Sequence, residues 1–279
     1  MFLLQLRNEL VKLFGKKRTY IGFAMFLLAQ NLIAVVFRFT HATRPLQRLL
    51  ESGGHVVADY LSALTIASIM LMPLAAFLLP LYVSLIGGDL VAKEAEDGTL
   101  RMILCRPIAR SRLLLVKWLA GCIFAVALSL ALGLFGLLFA RLYFPWGGLF
   151  IWMPEQEILS LFPAGTGLER YAVAHVMLIT EACSIMGLAF MFSCFNVKPA
   201  AATILGLSLV FVSFILEHIP YFKDYENWFF TYHLHLWQLM FAERIPWWRV
   251  GQSLCLLVGF NVTFLTVGLT VFQMRDIKS

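Results

Sequence analysis

The feature that most constrains this chain is a series of six long apolar runs. They cover about residues 20–39, 60–87, 113–144, 171–195, 199–216 and 250–274, and polar segments separate them. A helix needs about 20 apolar residues to cross the hydrocarbon core of a bilayer, so each run is close to the length of a membrane span. Backbone polar groups cannot stay unpaired in lipid, and no run alternates as barrel strands do. The sequence therefore predicts an all-α integral membrane protein with six transmembrane helices.

Composition agrees with this prediction and excludes a soluble domain. Of the 279 residues, 61% are hydrophobic and only 14% are charged, and the mean hydropathy is +0.82. A single membrane domain, residues 1–279, uses the whole chain. Five cysteines make an odd number, and four of them lie inside apolar runs, so we expect packing residues and neither disulfides nor a metal site.

The first 19 residues predict an amphipathic helix, because apolar and polar side chains separate at helical spacing. The apolar set is Leu3, Leu6, Leu10, Leu13 and Phe14, and the polar set is Gln5, Asn8, Glu9, Lys12 and Lys16. We expect this helix to lie along the inner lipid head groups, before residues 16–18 lead into the first span. The alternative is a basic anchor with no further role. No small-residue cleavage site follows, so we do not expect a cleaved signal peptide.

Lysine and arginine are distributed unequally between the two sides that six spans would define. With the amino terminus in the cytoplasm, that side receives fourteen of the twenty-two cations, including Arg275 and Lys278, and the other side receives eight over longer loops. The positive-inside rule then places both termini and the polar segment 87–117 in the cytoplasm. We expect a multi-pass protein of the bacterial plasma membrane, surrounded by membrane lipids.

Segment 87–117 holds most of the organised charge. A short helix is expected in its inner part, and residues 93–97 are polar enough to face water. Gly98 and Thr99 supply a helix stop and a restart cap. One further apolar turn, Leu100 to Leu104, would then end at Pro107, and the cations up to Lys117 are expected at the lipid head groups.

These residues follow an order that resembles the loop of ABC type-2 permeases, the membrane subunits of ATP-binding cassette exporters. The shared pattern is an acidic cluster, a Gly-Thr pair, an apolar turn, a basic residue with proline, a further arginine and a lysine. Here it reads Glu94, Glu96, Asp97, Gly98-Thr99, Leu100 to Leu104, Arg106-Pro107, Arg110 and Lys117. The alternative is a solvated loop with the cations that any inner-face loop carries.

The resemblance implies a permease that couples ATP hydrolysis by a separate cytosolic ATPase to substrate export. It implies a second permease copy or homologue as partner, and ATP and magnesium bound in the ATPase. The implied ATPase-coupling residues are Lys93, Glu94, Glu96, Asp97, Gly98, Thr99, Leu100 and Arg101. Neither a cofactor in this chain nor a nucleic-acid partner is expected.

The chain lacks the phosphate-binding loop of an ATPase. Such a loop reads Gly-x-x-x-x-Gly-Lys followed by Ser or Thr, and the nearest segment, Gly15-Lys16-Lys17, has Leu10 and Lys17 in the wrong places. We therefore expect a transport subunit and no enzymatic activity in this chain.

Polar residues inside the spans are the candidates for a translocation path. Glu181 lies ten residues into a span, about 15 Å deep and so near the midplane. A carboxylate there costs at least about 2.5 kcal/mol unless it faces partners or water. Glu181 is a pathway or proton-linked group, or alternatively it is a packing residue. As a pathway group, it should face the axis of a permease pair, with Gln30 and Asn31 nearby. Kinks are expected at Pro73 and Pro80.

The segment 217–249 is predicted to lie on the outer side as an aromatic belt with short helices. Its aromatic residues include Tyr221, Tyr225, Trp228, Tyr232, Trp237, Trp247 and Trp248. The other outer loop, 145–170, has no recognisable motif. Residues Glu181, His233 and His235 also support an alternative function, a membrane enzyme acting on a lipid or a prenyl carrier. A scaffold without transport is a third possibility. The two histidines lack the four-residue spacing of helical zinc sites, so no metal site is expected.

Overall fold

A computed structural model describes residues 2–54, 56–105 and 108–274, and it is almost entirely helical. The helices are α1 (Phe2–Phe14), α2 (Lys17–Phe39), α3 (Arg44–Ser52), α4 (Val57–Tyr60), α5 (Ala63–Pro73), α6 (Leu79–Glu96), α7 (Thr99–Leu104), α8 (Arg110–Tyr143), α9 (Ala164–Ser193), α10 (Pro199–Glu217), α11 (Phe230–Leu234) and α12 (Trp247–Met274). Within the described residues, six helical segments are long and apolar enough to cross a membrane: α2, Ala63–Glu96, α8, α9, α10 and α12. These six candidates agree with the predicted number of spans.

The second span, Ala63–Glu96, changes its helical geometry halfway. A π-helical turn at Leu74–Leu78 follows Pro73, which cannot donate a backbone hydrogen bond, and joins α5 to α6. Pro80 lies in the first turn of α6. The outer half, α5, packs against α8, whereas α6 packs chiefly against α9 and α10. The irregularity expected from the prolines thus lies after Pro73 and coincides with a change of packing partner.

Helix α9 lies at the centre of the bundle and contacts α6, α8, α10 and α12. Small residues allow these helices to approach closely, as is common inside membranes. A Cβ atom on Gly87 would come within 2.5 Å of the Met186 carbonyl oxygen in α9. On Gly88 it would come within 2.4 Å of the Thr203 hydroxyl in α10. The two adjacent glycines therefore set the distances from α6 to both neighbours.

The connections between the spans alternate between two ends of the bundle. At one end, here called the basic end, Arg18 pairs with Asp89 and Arg110 donates to the Gln273 carbonyl in the last turn of α12. At the opposite end, the Arg170 side chain donates to the Met240 carbonyl. Among the described residues, the basic end carries 14–18, 93–105, 108–117 and 194–199. Six successive crossings of the membrane place these segments at the same end. Arg275 and Lys278, which were expected at this end too, lie outside the described residues.

A two-stranded antiparallel sheet forms at the opposite end, in loop 145–170, in which no motif is recognisable. Strands β1 (Leu149–Met153) and β2 (Ile158–Phe162) pair with Leu149 opposite Phe162. The backbone N–H of Phe150 donates to the Thr65 hydroxyl and joins the hairpin to α5. The all-α prediction therefore holds for the spans but missed this hairpin, because its strands are only five residues long and their sequence does not alternate cleanly between apolar and polar residues.

Candidate functional site

The polar segment 87–117 begins inside α6, the inner half of the second span, and not in a separate helix. Residues 93–96 are the last turn of α6, and Gly98 ends it in the left-handed region at φ 73°. Gly98 N–H donates to the Ala95 carbonyl, and the Thr99 hydroxyl donates back to the Glu94 carbonyl. The stop at Gly98 is confirmed. Thr99 starts α7 as predicted, but its side chain satisfies a carbonyl of α6 and does not cap α7.

A buried ion network lies behind this segment. Lys117 Nζ donates to Glu94 Oε1 at 2.6 Å and to Glu9 Oε2 at 2.8 Å. Lys12 also pairs with Glu94 Oε1. Because Glu9 and Lys12 belong to α1, Glu94 to α6 and Lys117 to α8, the network joins three helices at the basic end.

Two surface placements expected from the sequence are therefore wrong. Glu94 does not face water but is 5% exposed, and Lys117 is fully buried instead of reaching lipid head groups. Lys117 follows Leu113 and Leu114 by one helical turn on the inward face of α8, so its position on the helix forces it inside. A buried cation needs counter-ions, and α1 and α6 supply them. Glu9, expected on the polar side of α1, is turned inward for this purpose.

The water-facing part of the segment is smaller than predicted. Lys93 pairs with Glu96 at 2.8 Å and with Asp97 at 3.2 Å, and all three side chains are at least 36% exposed. Arg101 and Met102 of α7 are also exposed, whereas Leu100 is buried. Of the eight sequence-predicted coupling residues, the charged side chains that reach the surface are thus Lys93, Glu96, Asp97 and Arg101. Arg106 and Pro107 of the family pattern lie outside the described residues.

A second ion pair closes the basic end beside the first span. Arg18 Nη1 donates to Asp89 Oδ2 at 2.7 Å, and Asp89 itself is buried. Lys16 lies close by, and its pKa is lowered because burial disfavours the charged amine more than the neighbouring Asp89 carboxylate favours it. The start of α2 and the inner part of α6 are therefore held together by charge. The sequence reading missed the pairing of Arg18 with Asp89, whose only signal was an acidic residue near the end of an apolar run.

Glu181 is buried in the middle of α9, as the sequence predicted. The indole of Trp237 lies close enough to interact with its carboxylate. Its second oxygen, Oε2, has no hydrogen-bond partner within the described part of the chain. Glu181 lines a cavity of about 40 Å³ together with Pro80 of α6, Phe214 of α10 and His235. The helical face that carries Ile185 and Leu188 is buried within this one chain.

Gln30 and Asn31 lie elsewhere in the bundle. Gln30 is buried and its Nε2 donates to the Leu132 carbonyl at 2.8 Å. Asn31 is exposed, and its Oδ1 accepts from the Tyr143 hydroxyl at 3.0 Å. Neither residue lines the cavity around Glu181. The structure therefore does not bring the three candidate pathway residues together.

The segment at the opposite end forms short helices, as predicted. They are the 3₁₀ helix Pro220–Trp228, α11 and the 3₁₀ helix His235–Phe241. Trp228, Trp247 and Trp248 are exposed as an interfacial belt requires, but Trp237 is buried against Glu181. The sequence contained one indication that an aromatic residue of this segment would be buried: Glu181 lies inside a span and needs a polar partner there.

The two histidines of this segment have different surroundings. The Nε2–H of His233 donates to the Asn227 carbonyl, and its Nδ1 accepts from the Ser253 hydroxyl, both at 3.0 Å. Both ring nitrogens of His233 are therefore used in packing. Burial lowers the pKa of His235 to about 4, and the charge of Arg249 and the nearby His218 add to this effect. Within residues 2–54, 56–105 and 108–274, no three histidine, cysteine or acidic side chains come together as metal ligands.

Six long apolar helices that contact one another define a polytopic helical membrane protein. The sequence matches the family described as ABC-2 family transporter protein over residues 8–223, and the chain belongs to this family. It is also 33% identical over 151 residues to a Pseudomonas aeruginosa protein described as probable ABC transporter permease protein NosY. That alignment covers 53% of this chain and 48% of the relative, so it spans about half the length of each.

Proposed function

We propose that this chain is the permease subunit of an ABC exporter and that a separate cytosolic ATPase, which binds ATP and magnesium, docks at its basic end. The family membership and the likeness to a protein described as a permease support the transport role. A second permease copy or homologue completes the membrane part. The basic end faces the cytoplasm, as the distribution of lysine and arginine predicts.

The observation that carries this proposal is the combination of a small charged surface with a rigid support behind it. Glu96, Asp97 and Arg101 project from the end of α6 and from α7, where a cytosolic protein can contact them. Immediately behind them, Glu94 is fixed to Lys117 of α8 and to Lys12 of α1. A displacement of the exposed surface is therefore transmitted to three helices at once.

This arrangement supports a mechanism in two steps. The ATPase moves α7 and the last turn of α6 when it closes on ATP. The ion network then moves α1 and α8 with α6, because separating buried ion pairs is costly. In this way the spans would switch between two packings, one open to each side of the membrane. ATP binding would shift the populations of the two packings.

The test is copurification with the ATPase. Glu96→Lys, Asp97→Lys and Arg101→Glu together reverse the exposed charges and leave Glu94 in its network, so we expect release of the ATPase from a permease that stays folded. The matched control reverses Lys223, Asp224 and Glu226 at the opposite end, which should keep the ATPase bound. Unchanged copurification of the first variant, with transport intact, would show that the coupling surface lies elsewhere.

A further inference from the structure

A polar vestibule of about 610 Å³ opens at the end opposite the basic end. Four carboxylates line it, against two permanently charged cations. The carboxylates are Glu155, Glu157, Glu217 and Glu226, and the cations are Lys223 and Arg249. A concave surface with an excess of one sign raises the local concentration of ions of the opposite sign. The vestibule therefore favours protons and other cations.

His235 forms the wall between this vestibule and the cavity around Glu181. It lines both, and it is the one residue common to the two linings among the described residues. Its ring lies against Phe214 in the inner cavity. With a pKa near 4 its imidazole is neutral at pH 7, so one ring nitrogen donates a proton while the other accepts one.

On the inner side of His235, the Glu181 carboxylate offers a hydrogen-bond acceptor that has no partner among the described residues. Glu181 is 4% exposed, and its Oε2 is free of hydrogen bonds within the described residues. A cavity of about 40 Å³ exceeds the volume of about 10–15 Å³ that a water molecule needs. Thr231 lines the same cavity, and its hydroxyl interacts with Glu217 of the vestibule, which adds a second polar link between the two spaces.

We propose that Glu181 is a proton-binding site that is loaded from the vestibule through His235. A hydronium ion in the vestibule gives its proton to the unprotonated ring nitrogen of His235, and the other ring nitrogen releases its proton through cavity water to Glu181 Oε2. One O–H bond breaks in the vestibule and one forms at Glu181, while His235 keeps the same number of protons. His235 is the titratable residue that shares the cavity with Glu181. The titratable and charged groups that share the vestibule with His235 are His218, Tyr232, Lys223, Arg249 and the four carboxylates.

The site itself does not depend on the ATPase; only a link between protonation and export rests on the proposed function. Its test therefore uses the purified full chain in lipid nanodiscs without the ATPase. Failure of this test leaves the copurification result untouched, and failure of copurification leaves this site untouched.

The first measurement follows access to position 181. On a background without the five native cysteines, Glu181→Cys is treated with aminoethyl methanethiosulfonate, a small cationic thiol reagent. We expect His235→Ala to raise the labelling rate about tenfold or more, because it opens the wall to the vestibule. The matched control is His233→Ala, two residues away and itself buried, but outside both linings. Equal acceleration by both variants would indicate general loosening, and no acceleration by His235→Ala would show that His235 is not the wall; either result overturns the proposal.

The second measurement detects the proton directly. Infrared difference spectra of the unsubstituted protein between about pH 5 and about pH 9 should contain a carboxylic acid C=O band that Glu181→Gln removes. His235→Phe keeps the wall but lacks nitrogen, so it should slow hydrogen–deuterium exchange at that band. A spectrum with no band that depends on Glu181, or an exchange rate that His235→Phe leaves unchanged, would overturn the proposal.

Discussion

Replacing Lys117 by methionine tests whether the buried ion network stabilises the basic end. The substitution keeps the approximate length and packing of the side chain but removes the cation that two carboxylates share. Removing one partner of a buried ion pair costs about 3–5 kcal/mol, because the remaining charge stays buried without compensation. Here Lys12 still pairs with Glu94, and Glu9 is partly in contact with water, so we expect a loss near the lower end, about 3 kcal/mol.

The measurement is the free energy of unfolding of the purified chain in mixed micelles, followed by circular dichroism as denaturing detergent is added. Lys93→Met is the matched control, because its partners Glu96 and Asp97 are exposed, and it should cost no more than about 1 kcal/mol. Adding Glu94→Gln to Lys117→Met removes the carboxylate that has lost its buried cation and keeps only Lys12, so the double variant should be more stable than additivity predicts by about 1–3 kcal/mol. If Lys117→Met is as mild as Lys93→Met, or if the two losses simply add, the network does not stabilise the fold as described.

Three further predictions concern other parts of the chain. Gly87→Ala should destabilise the bundle by about 1–3 kcal/mol in the same assay, because the added methyl meets the α9 backbone, whereas Gly259→Ala, with open space around it, should not; equal effects would contradict the close approach of α6 and α9. In intact cells, an impermeant thiol reagent should miss Cys105 and label Asp224→Cys, and the reverse pattern would invert the proposed orientation. Because the folded-state pKa of His235, about 4, lies below its ordinary 6.5, the folded protein should lose stability as pH falls from 6.5 towards 4, on the order of 3 kcal/mol in total. His235→Gln should flatten that dependence of the thermal midpoint, and an unchanged profile would assign it to other groups.

The sequence predicted those features that depend on local chemistry. Span positions follow from the length of apolar runs, and the stop at Gly98 follows from the positive φ that glycine tolerates. The hydrogen-bonding demand of Glu181 could also be anticipated from its depth in the bilayer.

Features that depend on which helices become neighbours could not be predicted in the same way. Lys117 and Glu94 are charged residues near span ends, a pattern typical of head-group contacts. Only the packing of α1, α6 and α8 shows that they face each other. Likewise, neither Trp237 nor His235 carries a local signal that distinguishes it from the interfacial aromatic and polar residues around it. Their roles follow from the placement of the 3₁₀ helix His235–Phe241 against α9.

The π-helical turn at Leu74–Leu78 changes which residues of the second span lie on a given face. Residues after the turn lie where they would in a regular helix that is one residue shorter. Each residue advances an α-helix by about 100°, and a π turn accommodates one additional residue. Deleting one residue here would restore a regular helix and leave the orientation of α6 relative to α5 nearly unchanged, so Gly87 and Gly88 would still face α9 and α10. The consequence is a rule for chain length: a single-residue deletion inside this turn should be tolerated, whereas one between Leu79 and Gly87 in α6 should rotate Gly87 and Gly88 by about 100° and disrupt the bundle.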